Sequence, residues 1–115
     1  MQYEITNTAR GVSLSPDDLD LIGSDLGRRL DPLLESFPQD AAYLRVLIND
    51  EAGRPFVEVT LRLSLHGDLI LAHEVGPAFR PAFEQALGEL RRQVLAYKDR
   101  HGRDRSRKQR QAATS

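Results

Sequence analysis

The chain has 115 residues, of which 40% are apolar and 29% are charged, and it contains no cysteine. This length predicts one domain with one hydrophobic core. The lack of cysteine excludes disulfides, thiolate metal sites and a cysteine nucleophile. No apolar run approaches the ~20 residues of a transmembrane helix, and no basic and apolar leader begins the chain, so we expect a cytoplasmic protein with no membrane partner.

The net charge of −1 conceals two oppositely charged regions. Residues 1–90 carry seven Arg or Lys against fifteen Asp or Glu, a net charge of −8, whereas residues 91–115 carry nine against two, a net charge of +7. A concentrated basic block is what local neutralisation of phosphates requires. We therefore predict a domain over residues 1–100 and a basic, disordered tail over residues 101–115.

The first helix is predicted from its start signal and its apolar spacing. Ser15 can accept hydrogen bonds from the free amides, and Pro16 suits the first helical position. Pro32 is expected to end or kink the helix, because proline cannot donate the backbone hydrogen bond. The helix should bury an apolar stripe of five residues: Leu19, Ile22, Leu26, Leu30 and Leu33.

Four segments alternate apolar and polar residues, which is typical of strands with one buried face. In the first, Tyr3 and Ile5 are expected to face inward. His66–Asp68 can form the tight turn of a hairpin between the last two strands, and residues 50–55 have the composition of a hairpin loop. The four predicted strands are Gln2–Thr6, Ala41–Asn49, Phe56–Leu65 and Leu69–Val75.

The last helix has the clearest apolar stripe, which recurs at steps of three and four residues. The predicted fold class is α+β in the order β-α-β-β-β-α, with a four-stranded mixed sheet and two helices packed on one face. A strand-helix-strand unit makes the first two strands parallel if they are adjacent. The stripe comprises Phe79, Phe83, Ala86, Leu87, Leu90, Val94 and Tyr97.

Other chemistry finds little support in the residues. The three histidines, His66, His73 and His101, have no spacing typical of metal ligands on a helix. Gly23 and Gly27 lie inside a helical pattern with no preceding strand, which is the wrong place for a phosphate loop. The sequence therefore predicts no catalytic residue, no metal, no cofactor and no small-molecule substrate.

The order of elements and several segments together resemble the short form of the ribosome hibernation-promoting factor family, also called ribosome-associated translation inhibitors. The likeness covers about residues 1–100 and is most specific between residues 57 and 98. The segments that carry it are Val57–Thr60, the strand end Ala72–Glu74, Phe79, Phe83–Glu84, Leu90–Val94 and Tyr97–Lys98.

The resemblance implies a non-catalytic factor that binds ribosomal RNA of the small subunit and inhibits translation or promotes ribosome hibernation under stress. Basic residues on the two helices would contact phosphates of structured RNA. Matched to the family, Arg28, Arg91, Arg92 and Lys98 stand where its helices are basic. The complete predicted RNA-binding set is Arg28, Arg29, Arg91, Arg92, Lys98, Arg100, Arg103, Arg105, Arg107, Lys108 and Arg110.

Two alternatives remain open at this point. The acidic body favours a diverged module of the same fold that binds a protein partner or forms a homodimer instead of binding the ribosome. A third hypothesis is a nonspecific nucleic-acid binder in which the basic tail makes all contacts.

Overall fold

A computed structural model of the chain describes residues 1–38, 41–50 and 56–114, with side chains described as far as Arg100. Three α-helices, one π-helical turn and four strands follow one another along the described residues. They are strand β1 (Gln2–Asn7), helix α1 (Pro16–Asp25), a π-helical turn (Leu26–Leu30), helix α2 (Asp31–Leu34), strands β2 (Ala42–Asp50), β3 (Val57–Leu65) and β4 (Asp68–Gly76), and helix α3 (Phe79–Thr114).

The four strands form one mixed sheet in the order β1-β2-β3-β4. β1 and β2 are parallel, and the chain between them contains α1, the π-helical turn and α2, which together we call the first helical stretch. β2, β3 and β4 form an antiparallel meander. The helices cover one face of this sheet, and no helix or strand in the described ranges covers the other face. The predicted α+β class and the order of elements are confirmed.

Alternation along the central strands builds the core. Val46 is paired with Leu61, and Ile48 with Val59, and all four side chains are fully or almost fully buried under the helices. The intervening residues, among them Arg62, point to the open face. The facing predicted for β2 and β3 is therefore confirmed.

The hairpin between β3 and β4 turns at His66 and Gly67, whose φ angles are 51° and 81°. Two successive residues in the left-handed region match the twist of a two-residue hairpin turn, and glycine adopts that conformation without strain. The ring centroid of His66 lies 5.2 Å from that of Phe37, so the turn also packs on the end of the first helical stretch. The predicted turn is confirmed, and residues 51–55 of the other predicted loop lie outside the described part of the chain.

The first helix begins as predicted but does not end at its proline. Ser15 Oγ accepts a hydrogen bond from the Asp18 amide at 3.1 Å, and Asp18 Oδ2 accepts one from the Ser15 amide at 3.0 Å. Before Pro32 the helix widens into the π-helical turn, in which the Asp31 amide donates to the Leu26 carbonyl five residues earlier. The wider turn accommodates a proline ring that would clash with the carbonyl four residues earlier in a regular helix.

Three predicted inward positions near the first helix differ from the structure. Leu19 is 44% exposed, and Leu33 is only partly buried against the core, whereas the adjacent Leu34 is buried. Tyr3 faces α1, where its hydroxyl lies 3.1 Å from the position of a Cβ added at Gly23, yet it is 42% exposed because β1 is an edge strand. The apolar pattern predicted which face of β1 points toward the helices but not how far its side chains are buried.

The predicted stripe of α3, from Phe79 to Tyr97, is buried throughout. The α3 backbone continues to Thr114, beyond the boundary predicted at residue 100. Residues 101–114 lack proline and are rich in Arg, Lys, Gln and Ala, which favour helix. A separate, disordered tail stays a prediction. No helix in the described part of the chain is both long enough and apolar enough to span a membrane.

Candidate nucleic-acid interface

One side of α3 carries a row formed by Glu84, Arg91 and Lys98, which recur every seven residues. Seven residues are nearly two full helical turns, so the three side chains share one side of the helix. Glu84 and Arg91 both contact Arg29 in the first helical stretch. Glu84 and Arg91 therefore meet Arg29 where the two helices contact each other. We call Arg29 and Arg91, together with Arg28 beside Arg29 and Lys98 two turns beyond Arg91, the interhelix patch.

Arg28 is held by a buried carboxylate. Its Nη2 donates to Asp25 Oδ1 at 2.8 Å; the side chain of Asp25 is only 3% exposed, whereas that of Arg28 is 72% exposed. A guanidinium has five donor hydrogens, so this contact fixes the orientation of Arg28 and leaves other donors facing solvent. Asp25 thus positions a cation at the surface.

Burial alone would raise the pKa of the Asp25 carboxyl. The hydrogen bonds with Arg28 and with the Glu84 carboxyl, together with the charges of Arg28 and Arg29, outweigh that effect and lower the pKa below its usual range. Asp25 is therefore ionised at neutral pH, and the patch is a mixed cluster of charges.

Arg29 and Arg91 join the two helices. Arg29 Nη1 donates to Glu84 Oε2 at 2.7 Å, and Arg91 Nε donates to the Arg29 carbonyl at 2.9 Å. That carbonyl belongs to the π-helical turn, where regular helical hydrogen bonding is interrupted. Arg91 therefore anchors α3 to the first helical stretch in addition to adding charge.

Arg92 lies on a different side of α3. It forms an ion pair with Glu89, three residues earlier on the same helix, and its own side chain is 76% exposed. The neighbouring Gln93 donates to the Leu71 carbonyl of β4 at 2.7 Å, so Gln93 faces the edge of the sheet. The structure thus separates Arg92 from the interhelix patch.

Arg100 lies on the same side of α3 as Gln93, where it lines a recess with Asp68, Gln93 and Tyr97. The hydroxyl of Tyr97 donates to Asp68 Oδ2 at 3.0 Å. Burial and this carboxylate raise the pKa of Tyr97 above its usual range. Arg92, which is paired within α3, and Arg100, which lies beside Asp68 and Tyr97, are therefore both outside the interhelix patch.

The predicted cations with described side chains thus do not share one surface, because Arg92 and Arg100 lie outside the interhelix patch. In the described part of the chain, Arg28, Arg29 and Arg92 each form an ion pair with a carboxylate, whereas Lys98 has no such pair. The side chains of the remaining predicted residues lie outside the described part, so their roles stay predictions. These are Arg103, Arg105, Arg107, Lys108 and Arg110.

The roles of Asp25 and Glu84 were not predicted from the sequence. Asp25 could have been found, because it stands three residues after Ile22 and directly before Leu26, on the apolar stripe of the first helix. An acidic residue at a core position predicts a cationic or hydrogen-bonding partner, since unpaired burial of a charge is costly. Glu84 gave no such signal, because its position is exposed and only the packing of the helices brings it to Arg29.

No protein-family model matches the chain, and no curated protein matches it by sequence. Solved structures with the same fold include a ribosomal subunit interface protein from Coxiella burnetii, with a TM-score of 0.67 and 20% identity, covering 86% of this chain and 99% of that protein. The N-terminal domain of Thermus thermophilus Protein Y has a TM-score of 0.60 and 18% identity, covering 84% of this chain and 94% of that domain. At these identities the likeness establishes the fold, so the predicted resemblance is confirmed at that level.

Proposed function

We propose that the chain is a diverged, short-form member of the ribosome hibernation-promoting factor family: a non-catalytic, cytoplasmic factor that binds ribosomal RNA of the small subunit. The observation that carries this proposal is the fold shared with a ribosomal subunit interface protein over nearly the whole length of that protein. The resemblance noted in the sequence adds the expected outcome of binding, which is inhibited translation or hibernation under stress.

The interhelix patch supplies the contacts in this proposal. Arg28 is exposed and oriented by Asp25, and Lys98 extends the same row of α3 toward the tail. Double-stranded RNA is recognised largely through its phosphates and shape, so cations fixed where two rigid helices contact each other suit it better than a flexible loop would. Arg92, Arg100 and the basic residues of the tail would add further phosphate contacts.

Inhibition follows from occupancy in this account. A domain seated on the small subunit near the decoding region would exclude messenger and transfer RNA without any chemical step. The described part of the chain needs only rigid placement and positive charge for this role.

Co-sedimentation with purified small ribosomal subunits tests the proposal, with large subunits as the control. We expect binding to small subunits at 50 mM salt. If about six phosphates are neutralised, affinity should fall about a thousandfold by 200 mM salt. Equal binding to both subunits would remove the subunit assignment, and no binding to small subunits at 50 mM salt would contradict the proposal.

A second candidate, a homodimer, is favoured by the open face of the sheet. Leu69, Leu71 and Val75 lie on this face along β4 and are 49%, 47% and 39% exposed. Arg62 of β3 lies opposite Arg45 of β2 on the same face.

The same face also carries Glu4, whose Oε1 lies 2.9 Å from Arg45 Nε, and Glu58, so its charges are balanced and could complement those of a second copy. The strand dimensions give this face about 500 Å², below the ~800 Å² per partner of a standard interface. The expected dimer is therefore weak.

Sedimentation equilibrium between about 1 and 100 μM tests the second candidate. A dimer that forms at the upper end and is lost in Leu71→Ser supports it. A monomer throughout this range contradicts it, as does a dimer that Leu71→Ser leaves intact.

A further inference from the structure

We infer that Glu84 and Glu89 compete with RNA phosphates for Arg29 and Arg92, and that these two acidic residues thereby set the affinity of the surface. This inference rests on the proposed function and adds a control of that same surface. It concerns arginines that already have an anionic partner within the chain. An incoming phosphate must displace that partner or approach against its charge.

The Glu84 carboxylate already accepts a hydrogen bond from the guanidinium of Arg29. Nη1 of Arg29 lies 2.7 Å from Glu84 Oε2, the side chain of Arg29 is only 29% exposed, and that of Glu84 is 48% exposed. Carboxylate and phosphate use the same planar donor geometry of a guanidinium. A phosphate that binds this donor of Arg29 must therefore displace the Glu84 carboxylate.

Glu89 occupies Arg92 in a similar way within α3. Its carboxylate pairs with Arg92 and also accepts a weak hydrogen bond from Gln93 Nε2 at 3.4 Å. Gln93 is in turn fixed to the Leu71 carbonyl. The carboxylate is thus held beside Arg92, the more exposed of the two paired arginines.

Asp25 differs from these two acids. Its side chain is buried, so an RNA phosphate cannot take its place, and the paired Arg28 still presents most of its surface to solvent. Asp25 therefore positions a cation, whereas Glu84 and Glu89 are accessible and can be displaced. Only Glu84 and Glu89 are therefore expected to limit the affinity for RNA.

The test replaces each acid by its neutral isostere. Glu84→Gln and Glu89→Gln should each bind small ribosomal subunits about two- to fivefold more tightly at 50 mM salt, which is the range that an exposed ion pair is worth. The two sites have no common partner, so the double variant should gain about the product of the two factors.

Glu35→Gln is the matched control. It makes the same change of charge at an exposed glutamate next to α2, which has no ion pair within the described part of the chain. The inference is contradicted if Glu84→Gln and Glu89→Gln bind no more tightly than the wild-type chain. It is equally contradicted if Glu35→Gln gains as much, because overall charge would then explain the effect.

Salt elution from a heparin column separates this inference from the proposed function. Both variants should elute at higher salt than the wild-type chain and Glu35→Gln, even if no form binds the ribosome. Later elution without ribosome binding would contradict the proposed function and support the competition for arginine. Unchanged elution of both variants would overturn the inference regardless of any ribosome result.

Discussion

The two helical regions of the molecule are built on different principles. α3 buries an uninterrupted apolar stripe and carries its charges outside it. The first helical stretch admits a carboxylate, Asp25, into its buried face and widens into a π-helical turn before Pro32. The regular helix therefore fixes the fold, whereas the irregular one supplies the polar contacts that orient the candidate interface.

The largest effect is expected from a substitution in the sheet core on which α3 packs. Leu61 lies at the centre of β3, fully buried beneath the helices. Leu61→Asp should unfold the domain, because an uncompensated buried charge costs about 3–5 kcal/mol. Urea titration followed by circular dichroism measures the loss, and Ser64→Asp on the exposed face of the same strand is the control. A Leu61→Asp variant as stable as the control would contradict the facing of the strand.

The next largest effect is expected from replacing Asp25, the buried carboxylate of the first helical stretch. Asp25→Asn should lower the free energy of unfolding by about 1–3 kcal/mol at pH 7, because a hydrogen bond to a charged group is weakened within a buried site.

The pKa of Asp25 is lowered in the folded state, so its stabilising contribution is complete above the usual aspartate pKa near 4 and is lost as pH falls through the lower folded value. The difference between wild type and Asp25→Asn should therefore shrink on acidification, as measured by urea titrations from pH 7 to pH 2.5. A difference that is constant over this range would contradict the assigned charge.

A smaller effect compares two neighbouring arginines of α3. Arg91→Gln should cost about 0.5–1.5 kcal/mol, because Arg91 donates to the carbonyl of Arg29 in the other helix. Arg92→Gln should change stability by less than about 0.5 kcal/mol, because its pair with Glu89 is exposed and lies within one helix. Thermal unfolding of the two variants side by side tests the contrast, and equal losses would remove the anchoring role of Arg91.

The strand β3 and the helix α3 could be predicted from the periodicity of their apolar residues alone. The alternation of β3 and the stripe of α3 each require one buried face, and no polar residue interrupts them. The π-helical turn was not predictable in this way, because Pro32 is equally compatible with a helix end, a kink or a widened turn. The apolar periodicity could not predict how far the Tyr3 side chain is buried either, since its burial depends on the position of β1 at the edge of the sheet.

The candidate interface was predictable as a set of cations but not as an arrangement. Charge and resemblance selected Arg28, Arg91, Arg92 and Lys98, but the pairing of Arg92 and the anchoring of Arg91 depend on contacts that only the folded chain provides. Charge reversal at Arg91 would therefore disturb the fold as well as the surface. Lys98, which has no ion pair in the described part of the chain, is the cleaner position for a binding test.

The most direct measurement compares Lys98→Glu with Arg62→Glu in binding to purified small ribosomal subunits at 50 mM salt. Lys98 lies on the helical side and Arg62 on the open face of the sheet, and the two variants change the net charge equally. If the helical side contacts RNA, Lys98→Glu should weaken binding about tenfold and Arg62→Glu should change it little. Equal weakening by both variants, or a larger loss for Arg62→Glu, would contradict the assignment of the interface to the helices.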